Sequence, residues 1–191
     1  MPKTYLLPQN YFTIGISTCD LKINFLKVRS SLVELKLTDN APDFNLPDQS
    51  GKNHKLQDLK GKTTLVYFYP RDETPGCTAQ ACALRDNFAE LQSKGIGVIG
   101  VSKDDTTSHS KFATKHQLSF PILADTEHQM IEAYGSWQER SMYGRKFFGT
   151  VRSAVIIGPD LKIAAVWPKL APLKTVPEVN KWLKSKEQGL E

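Results

Sequence analysis

The chain has 191 residues, 40% of them hydrophobic, which is enough apolar material for the core of one ordinary domain. Its net charge of +5 is spread along the chain without a Lys/Arg block, which argues against a nucleic-acid partner, and no run reaches the roughly 20 apolar residues of a membrane span. Three cysteines are too few for a disulfide framework or a four-cysteine zinc site, and His54, His109, His116 and His128 show no metal-ligand spacing and read as surface residues.

Residues 1–31 differ from the rest. Lys3, Lys22, Lys27 and Arg29 stand there against a single acid, Asp20, and no period is visible. The stretch lacks the charged start, continuous apolar centre and small-residue cleavage site of a secretory signal. It is expected to be an N-terminal extension, with organelle targeting left open, and its Cys19 reads as an incidental thiol. The domain proper is expected over residues 32–191.

From Leu35 the pattern is ordered. "APDFNLPDQSGKNHKL" alternates apolar positions around a polar turn and predicts a hairpin. "KTTLVYFYP" is a continuous β-branched and aromatic run, as in a central strand covered on both faces. Ala81, Leu84, Phe88 and Leu91 recur at helical spacing, and Lys94-Gly95 supplies a basic last turn and a terminating glycine, so a helix is predicted over Thr78 to Lys94. "GIGVIGVS" reads as a second buried strand, "TTSHSKFATKH" as a helix and "SFPILAD" as a short strand. A short helix is expected over Glu127 to Tyr134. "RSAVII" and "KIAAVW" are strands joined at Gly158-Pro159-Asp160, and Val176, Val179, Trp182 and Leu183 mark an amphipathic closing helix. Strand–helix alternation implies parallel strands with right-handed crossovers, and the late hairpin adds antiparallel ones. The expected class is α/β: a thioredoxin-like fold, with a central mixed β-sheet flanked by helices.

Chemistry concentrates at "PRDETPGCTAQAC". Cys77 follows the carboxyl end of the predicted central strand, where open α/β sheets form their sites. It also falls in the first turn of the next helix, where unpaired N–H groups and the helix dipole favour a thiolate. Pro75 suits a helix start, and Gly76 permits a close approach. Cys82 lies five residues further on. On an ideal helix that spacing separates the two Cα atoms by about 8.7 Å, beyond the roughly 7 Å a disulfide tolerates. Either the pair forms no bond, or it forms a transient one that requires the first turn to unwind.

These residues carry a family resemblance. Pro70, Thr74 and Cys77 fit the Pro-x-x-x-Thr-x-x-Cys signature of peroxiredoxins, and "YFYPRDETPGCTAQACALRD" resembles the bacterioferritin comigratory protein, or peroxiredoxin Q, branch. "SMYGRKFFGTVRSAVIIGPDLKI" is similar to the same branch and supplies its active-site arginine at Arg152. The resemblance spans about Leu35 to Lys186. One departure is "RSAVII", where the branch usually has Thr-Phe after Arg-Ser; Ala154 and Val155 still suit a buried strand.

The resemblance implies a thiol peroxidase acting on hydrogen peroxide and alkyl hydroperoxides. Cys77 would be the peroxidatic residue and Cys82 the resolving one, forming an intramolecular disulfide that thioredoxin reduces. Thr74, Gly76 and Arg152 would bind the peroxide, Pro70 would shield the sulfenic acid, and Gln80 would orient Arg152. No cofactor or metal is implied. A monomer in the cytoplasm is expected, with no nucleic-acid or membrane partner.

Other readings stand beside this one. A thioredoxin-like disulfide oxidoreductase would want Cys-x-x-Cys, which is absent. A chaperone or binding module would leave Cys77 dispensable. A cysteine hydrolase would need a histidine base beside Cys77, and no such motif is seen. Met142, Tyr143, Phe147 and Phe148 either line a substrate pocket or, the preferred reading, form a loop packed on the core. Trp137 and Trp167 read as packing residues.

Overall fold

The computed structural model describes residues 34–142 and 144–189. Residues 1–31 with Cys19, as well as Tyr143 and the Met142 side chain, lie outside the described residues. In chain order the elements are β1 (Asn45–Pro47), β2 (Asn53–Lys55), β3 (Thr63–Phe68), α1 (Pro75–Asp86), α2 (Phe88–Ser93), β4 (Ile96–Ser102), α3 (Thr106–His116), β5 (Ile122–Ala124), α4 (Gln129–Ala133), β6 (Trp137–Met142), β7 (Arg145–Thr150), β8 (Ser153–Ile157), β9 (Ile163–Trp167) and α5 (Thr175–Glu187).

The central sheet has five strands in the order β5-β4-β3-β8-β9. β3 pairs parallel with β4, and β4 with β5; β8 pairs antiparallel with β3, and β9 with β8. The sheet is therefore mixed, with β3 at its centre. Alternation along β3 explains its unbroken apolar run. Leu65, Tyr67 and Tyr69 face a cluster that includes Cys77, Ala81, Leu84, Phe112 and Val179, from α1, α3 and α5. Val66 and Phe68 face the opposite cluster of Phe44, Leu56, Met130, Ile131 and Tyr134. With both faces covered, each β3 side chain from Thr64 to Phe68 is buried. Ala154 and Val155 are also buried in β8, at 0% and 2% exposure.

Three expectations need correction. The helix expected over Thr78 to Lys94 starts earlier and is broken. Pro75 opens it, because its fixed φ suits the first helical turn and its missing N–H is not needed there. The break falls at Asn87, whose side-chain Nδ2 donates to the Ala83 carbonyl at 2.8 Å and competes with the helical ladder.

The segment around Phe147 is not a loop packed on the core. β6 and β7 form a separate two-stranded ribbon with Trp137 opposite Thr150 and Met142 opposite Arg145. Trp137 and Thr150 anchor its base, but Phe147 and Phe148 are 42% and 57% exposed. As neighbours along the strand they point to opposite faces of the ribbon, and among the described residues neither face is covered there.

None of the four histidines is a free surface residue. His54 Nε2 lies 2.7 Å from Asp48 Oδ2, and His128 stacks on Trp137 with ring centroids 4.0 Å apart. His109 is fully buried, and the His116 side chain is 16% exposed. His109, Phe112, Ala113 and His116 share one face of α3 at helical spacing, and that face is turned inward.

Candidate active site

β3 delivers the chain to the site. Tyr69 extends its pairing by donating its N–H to the Val101 carbonyl at 3.1 Å, and half-buried Pro70 follows. The turn 71–74 then leads into α1, with Thr74 as its N-cap in extended conformation. The Thr74 hydroxyl does not cap the helix; it donates to the Arg71 carbonyl across a long 3.3 Å. Cys77 is the third residue of α1 and is 2% exposed. The Gly76 and Cys77 N–H groups precede the first helical hydrogen bond, which runs from Thr78 N to the Thr74 carbonyl at 2.9 Å.

Arg152 comes from the other side of the sheet centre. Ser153 of β8 pairs with Phe68 of β3, so Arg152, one residue earlier, emerges at the carboxyl end of β3. Its backbone carbonyl accepts from Leu170 N at 2.9 Å. Its Nη2 donates to the Cys77 sulfur at 3.2 Å, and its Nη1 donates to Gln80 Oε1. Fully buried Gln80 in turn donates from Nε2 to Thr175 Oγ1 at 2.8 Å. A relay thus runs from the start of α5 through α1 to the guanidinium and the thiol. Gly76 makes room for it: a Cβ there would stand 3.2 Å from Pro172 Cγ and 3.4 Å from Arg152 Nη2.

The turn before α1 rests on a buried polar network. Asp72 accepts from Tyr69 Oη at 2.7 Å and from Ser108 Oγ at 2.8 Å, and His109 Nδ1 lies 2.8 Å from its carboxylate. The Asp72 N–H donates to Asp104 Oδ2 at 2.7 Å, and Ser102 Oγ holds that same oxygen. Burial by itself raises the Asp72 carboxyl, but the hydrogen bond and charge of His109, with the Tyr69 and Ser108 donors, hold it below the usual carboxylate range. The Tyr69 hydroxyl is pushed well above its ordinary value, first by burial and then by its neighbours Tyr67 and Asp72. Tyr69 and Ser108 therefore remain donors to a carboxylate.

The site brings together Cys77, Arg152, Gln80 and Gly76, with Thr74 at the helix cap and Pro70 at the strand end. Cys82 is on the same unbroken helix as Cys77, and both are free thiols. Cys82 points elsewhere, with its sulfur 3.9 Å from His116 Nδ1. No histidine is hydrogen-bonded to Cys77 among the described residues, which leaves the cysteine-hydrolase reading without its base. The sequence reading missed the Asp72–His109 network and the position of His116. The seven-residue gap from His109 to His116, two helical turns on one face, was the available signal. A cleft of about 660 Å³ between β9 and α5, lined by Trp167 and Trp182, does not include Cys77. Among the described residues no helix is long and apolar enough to cross a membrane, and no cluster of three or more His, Cys, Asp or Glu is arranged to hold a metal.

A thiol at a helix start, beside the carboxyl end of a central strand and hydrogen-bonded by a fixed guanidinium, defines a thiol enzyme on the thioredoxin fold. The sequence comparisons narrow this. Residues 37–166 match the AhpC/TSA family. Peroxiredoxin Bcp of Escherichia coli K12 is 44% identical over 150 residues, covering 78% of this chain and 96% of the relative. Peroxiredoxin Bcp of Bacillus subtilis is 38% identical over 150 residues with the same coverage. A solved structure of the Xanthomonas campestris bacterioferritin comigratory protein, studied for its alkyl peroxide reduction activity, superposes with a TM-score of 0.73 at 28% identity, covering 82% of this chain and 99% of that one. The chain belongs to the AhpC/TSA family and is a thiol-dependent peroxidase of the peroxiredoxin Bcp type.

Proposed function

We propose that Cys77 is the peroxidatic residue, that Cys82 resolves its sulfenic acid, and that thioredoxin restores both thiols. The observation that carries this reading is the Arg152 guanidinium, fixed through Gln80 and 3.2 Å from a buried thiol at a helix start. A permanent cation and the helix dipole both favour the thiolate. The thiolate attacks one peroxide oxygen, the O–O bond breaks, and the departing oxygen leaves as water or an alcohol after gaining a proton. Negative charge grows on that oxygen. Arg152 and the Gly76 and Cys77 N–H groups would donate to it, joined by the Thr74 hydroxyl once that turns from the Arg71 carbonyl. Pro70 shields the sulfenic acid from water.

Cys82 then displaces the sulfenic oxygen as water and forms the Cys77–Cys82 disulfide. An intact α1 holds the two Cα atoms about 8.7 Å apart by ideal geometry, so the bond requires the first turn to open. Hydrogen peroxide and alkyl hydroperoxides are the proposed substrates; the alkyl peroxide reduction activity of the Xanthomonas relative supports the second. The catalytic unit is assigned to residues 32–191, acting as a cytoplasmic monomer, with residues 1–31 as an extension.

The test is peroxide consumption coupled to a thioredoxin system. Cys77→Ser is expected to abolish turnover. Cys82→Ser should react once and recycle poorly, and Cys19→Ser should match the wild type. Full turnover in Cys77→Ser would reject the assignment, and unimpaired recycling in Cys82→Ser would reject its resolving role.

A further inference from the structure

Half-buried Cys82 lies on the side of α1 that meets α3, where His116 Nδ1 is 3.9 Å from its sulfur. On the far side of the ring, His116 Nε2 is 3.4 Å from Glu73 Oε1, a charge contact only, and it has no hydrogen-bond partner among the described residues. The imidazole thus stands between a thiol and a carboxylate. Its setting is built rather than loose. Phe112 packs edge-on against the ring at 4.9 Å between centroids, and the His116 carbonyl accepts from Arg85 Nη1 at 2.7 Å. Glu73 is itself held by Lys115 Nζ. The charged and titratable groups around the thiol are therefore Arg85 on α1, Lys115 and His116 on α3, Glu73 in the turn before α1, and the buried Tyr67 hydroxyl of β3. In the tautomer that carries its proton on Nε2, the Nδ1 lone pair faces the Cys82 S–H.

We propose that His116 is the general base that activates Cys82 for disulfide formation. The inference rests on the resolving role of Cys82. His116 Nδ1 takes the Cys82 thiol proton as the sulfur attacks Cys77. An S–S bond forms and the sulfenic S–O bond breaks. The Cys82 sulfur is oxidised and the Cys77 sulfur reduced by the same electron pair. The departing hydroxide gains a proton, returned by the imidazolium through solvent, and leaves as water. The base sits with the thiol that stays in place, because opening the first turn of α1 moves Cys77.

The test uses the full chain with Cys19→Ser, mixed with hydrogen peroxide and quenched on the millisecond scale. Sulfenic acid and disulfide are counted by mass spectrometry in each sample. In His116→Ala the disulfide step should slow about tenfold or more relative to the sulfenic step, and imidazole in the buffer should restore it. An unchanged ratio of the two steps, or a slowed step that imidazole does not restore, overturns the proposal. If His116→Ala loses its native circular dichroism, His116→Gln decides by the same ratio: a slowed disulfide step supports the base, and a wild-type ratio rejects it. Cys82→Ser turned over with the thioredoxin system separates the two claims. Normal recycling there defeats the resolving role itself, whereas a wild-type ratio in the His116 variants defeats the base alone.

Discussion

Arg152 donates from Nη2 to the Cys77 sulfur across 3.2 Å. The contact depends on Gln80, which accepts from Nη1 and is itself tied to Thr175. A planar fork reaches both acceptors at once, and an ammonium does not. Arg152→Lys should therefore lower the second-order rate of Cys77 oxidation by about 100-fold, the usual cost of losing a transition-state donor. Gln80→Leu keeps the guanidinium but frees it, and a loss of about tenfold is expected, matching one hydrogen bond to a charged group. Stopped-flow oxidation of the two variants checks the order.

The buried Asp72–His109 pair predicts an acid-sensitive stability. Both His109 nitrogens face acceptors: the Asp72 carboxylate at 2.8 Å and the Leu123 carbonyl at 3.2 Å. The Asp72 carboxyl is held below its ordinary value in the folded protein. Its contribution is thus complete above the unfolded value of about 4, and is lost as pH falls through the lower native value. Removing one partner strands the other in the interior. His109→Leu should cost about 3–5 kcal/mol at pH 7. In Asp72→Asn the stability difference from the wild type should shrink as pH drops from 6 to 3. Urea titrations at each pH measure both effects, and a constant difference would count against the pair.

Gly100 sits opposite Tyr67 in the β3–β4 register, and a Cβ on it would lie 2.8 Å from the Tyr67 hydroxyl oxygen. Tyr67 is 1% exposed and stacks on Tyr69 at 5.5 Å, so its ring has nowhere to move. Gly100→Ala should destabilise the fold by about 1–3 kcal/mol through overpacking. The urea midpoint reports it, and an unchanged midpoint would show that the ring yields.

The disulfide form should lose amide-exchange protection over residues 76–83. Both cysteines belong to the continuous helix Pro75–Asp86 when they are free thiols, and the bond needs its first turn undone. Exchange in the reduced and oxidised proteins compares the two directly. Equal protection would rule out the opening.

Much of the fold is legible in local chemistry. The β3 run has no polar alternation because both its faces are covered, and that signal is written in consecutive residues. Pro75 and Gly76 mark the helix start in the same way. The Asn87 break was less visible, since it turns on one side chain choosing the Ala83 carbonyl. The β6–β7 ribbon escaped notice because exposed aromatics such as Phe148 imitate core residues in a sequence. The histidines were misread for the opposite reason: a polar ring is buried at no warning to local pattern when a distant Asp72 or Glu73 answers it.

By itself, then, the sequence determined the strand–helix order of the central sheet, the placement of Cys77 at a helix start and the five-residue distance to Cys82. These are short-range properties, set by propensity, caps and helical geometry. Which side chains meet was decided by tertiary structure alone. Arg152 reaches Cys77 because Ser153 pairs with Phe68, a register set by sheet assembly between segments 85 residues apart. His116 reaches Cys82 because α1 and α3 pack on the same face of that sheet. Contacts of this kind depend on where covered strands lie side by side, and no local pattern encodes that.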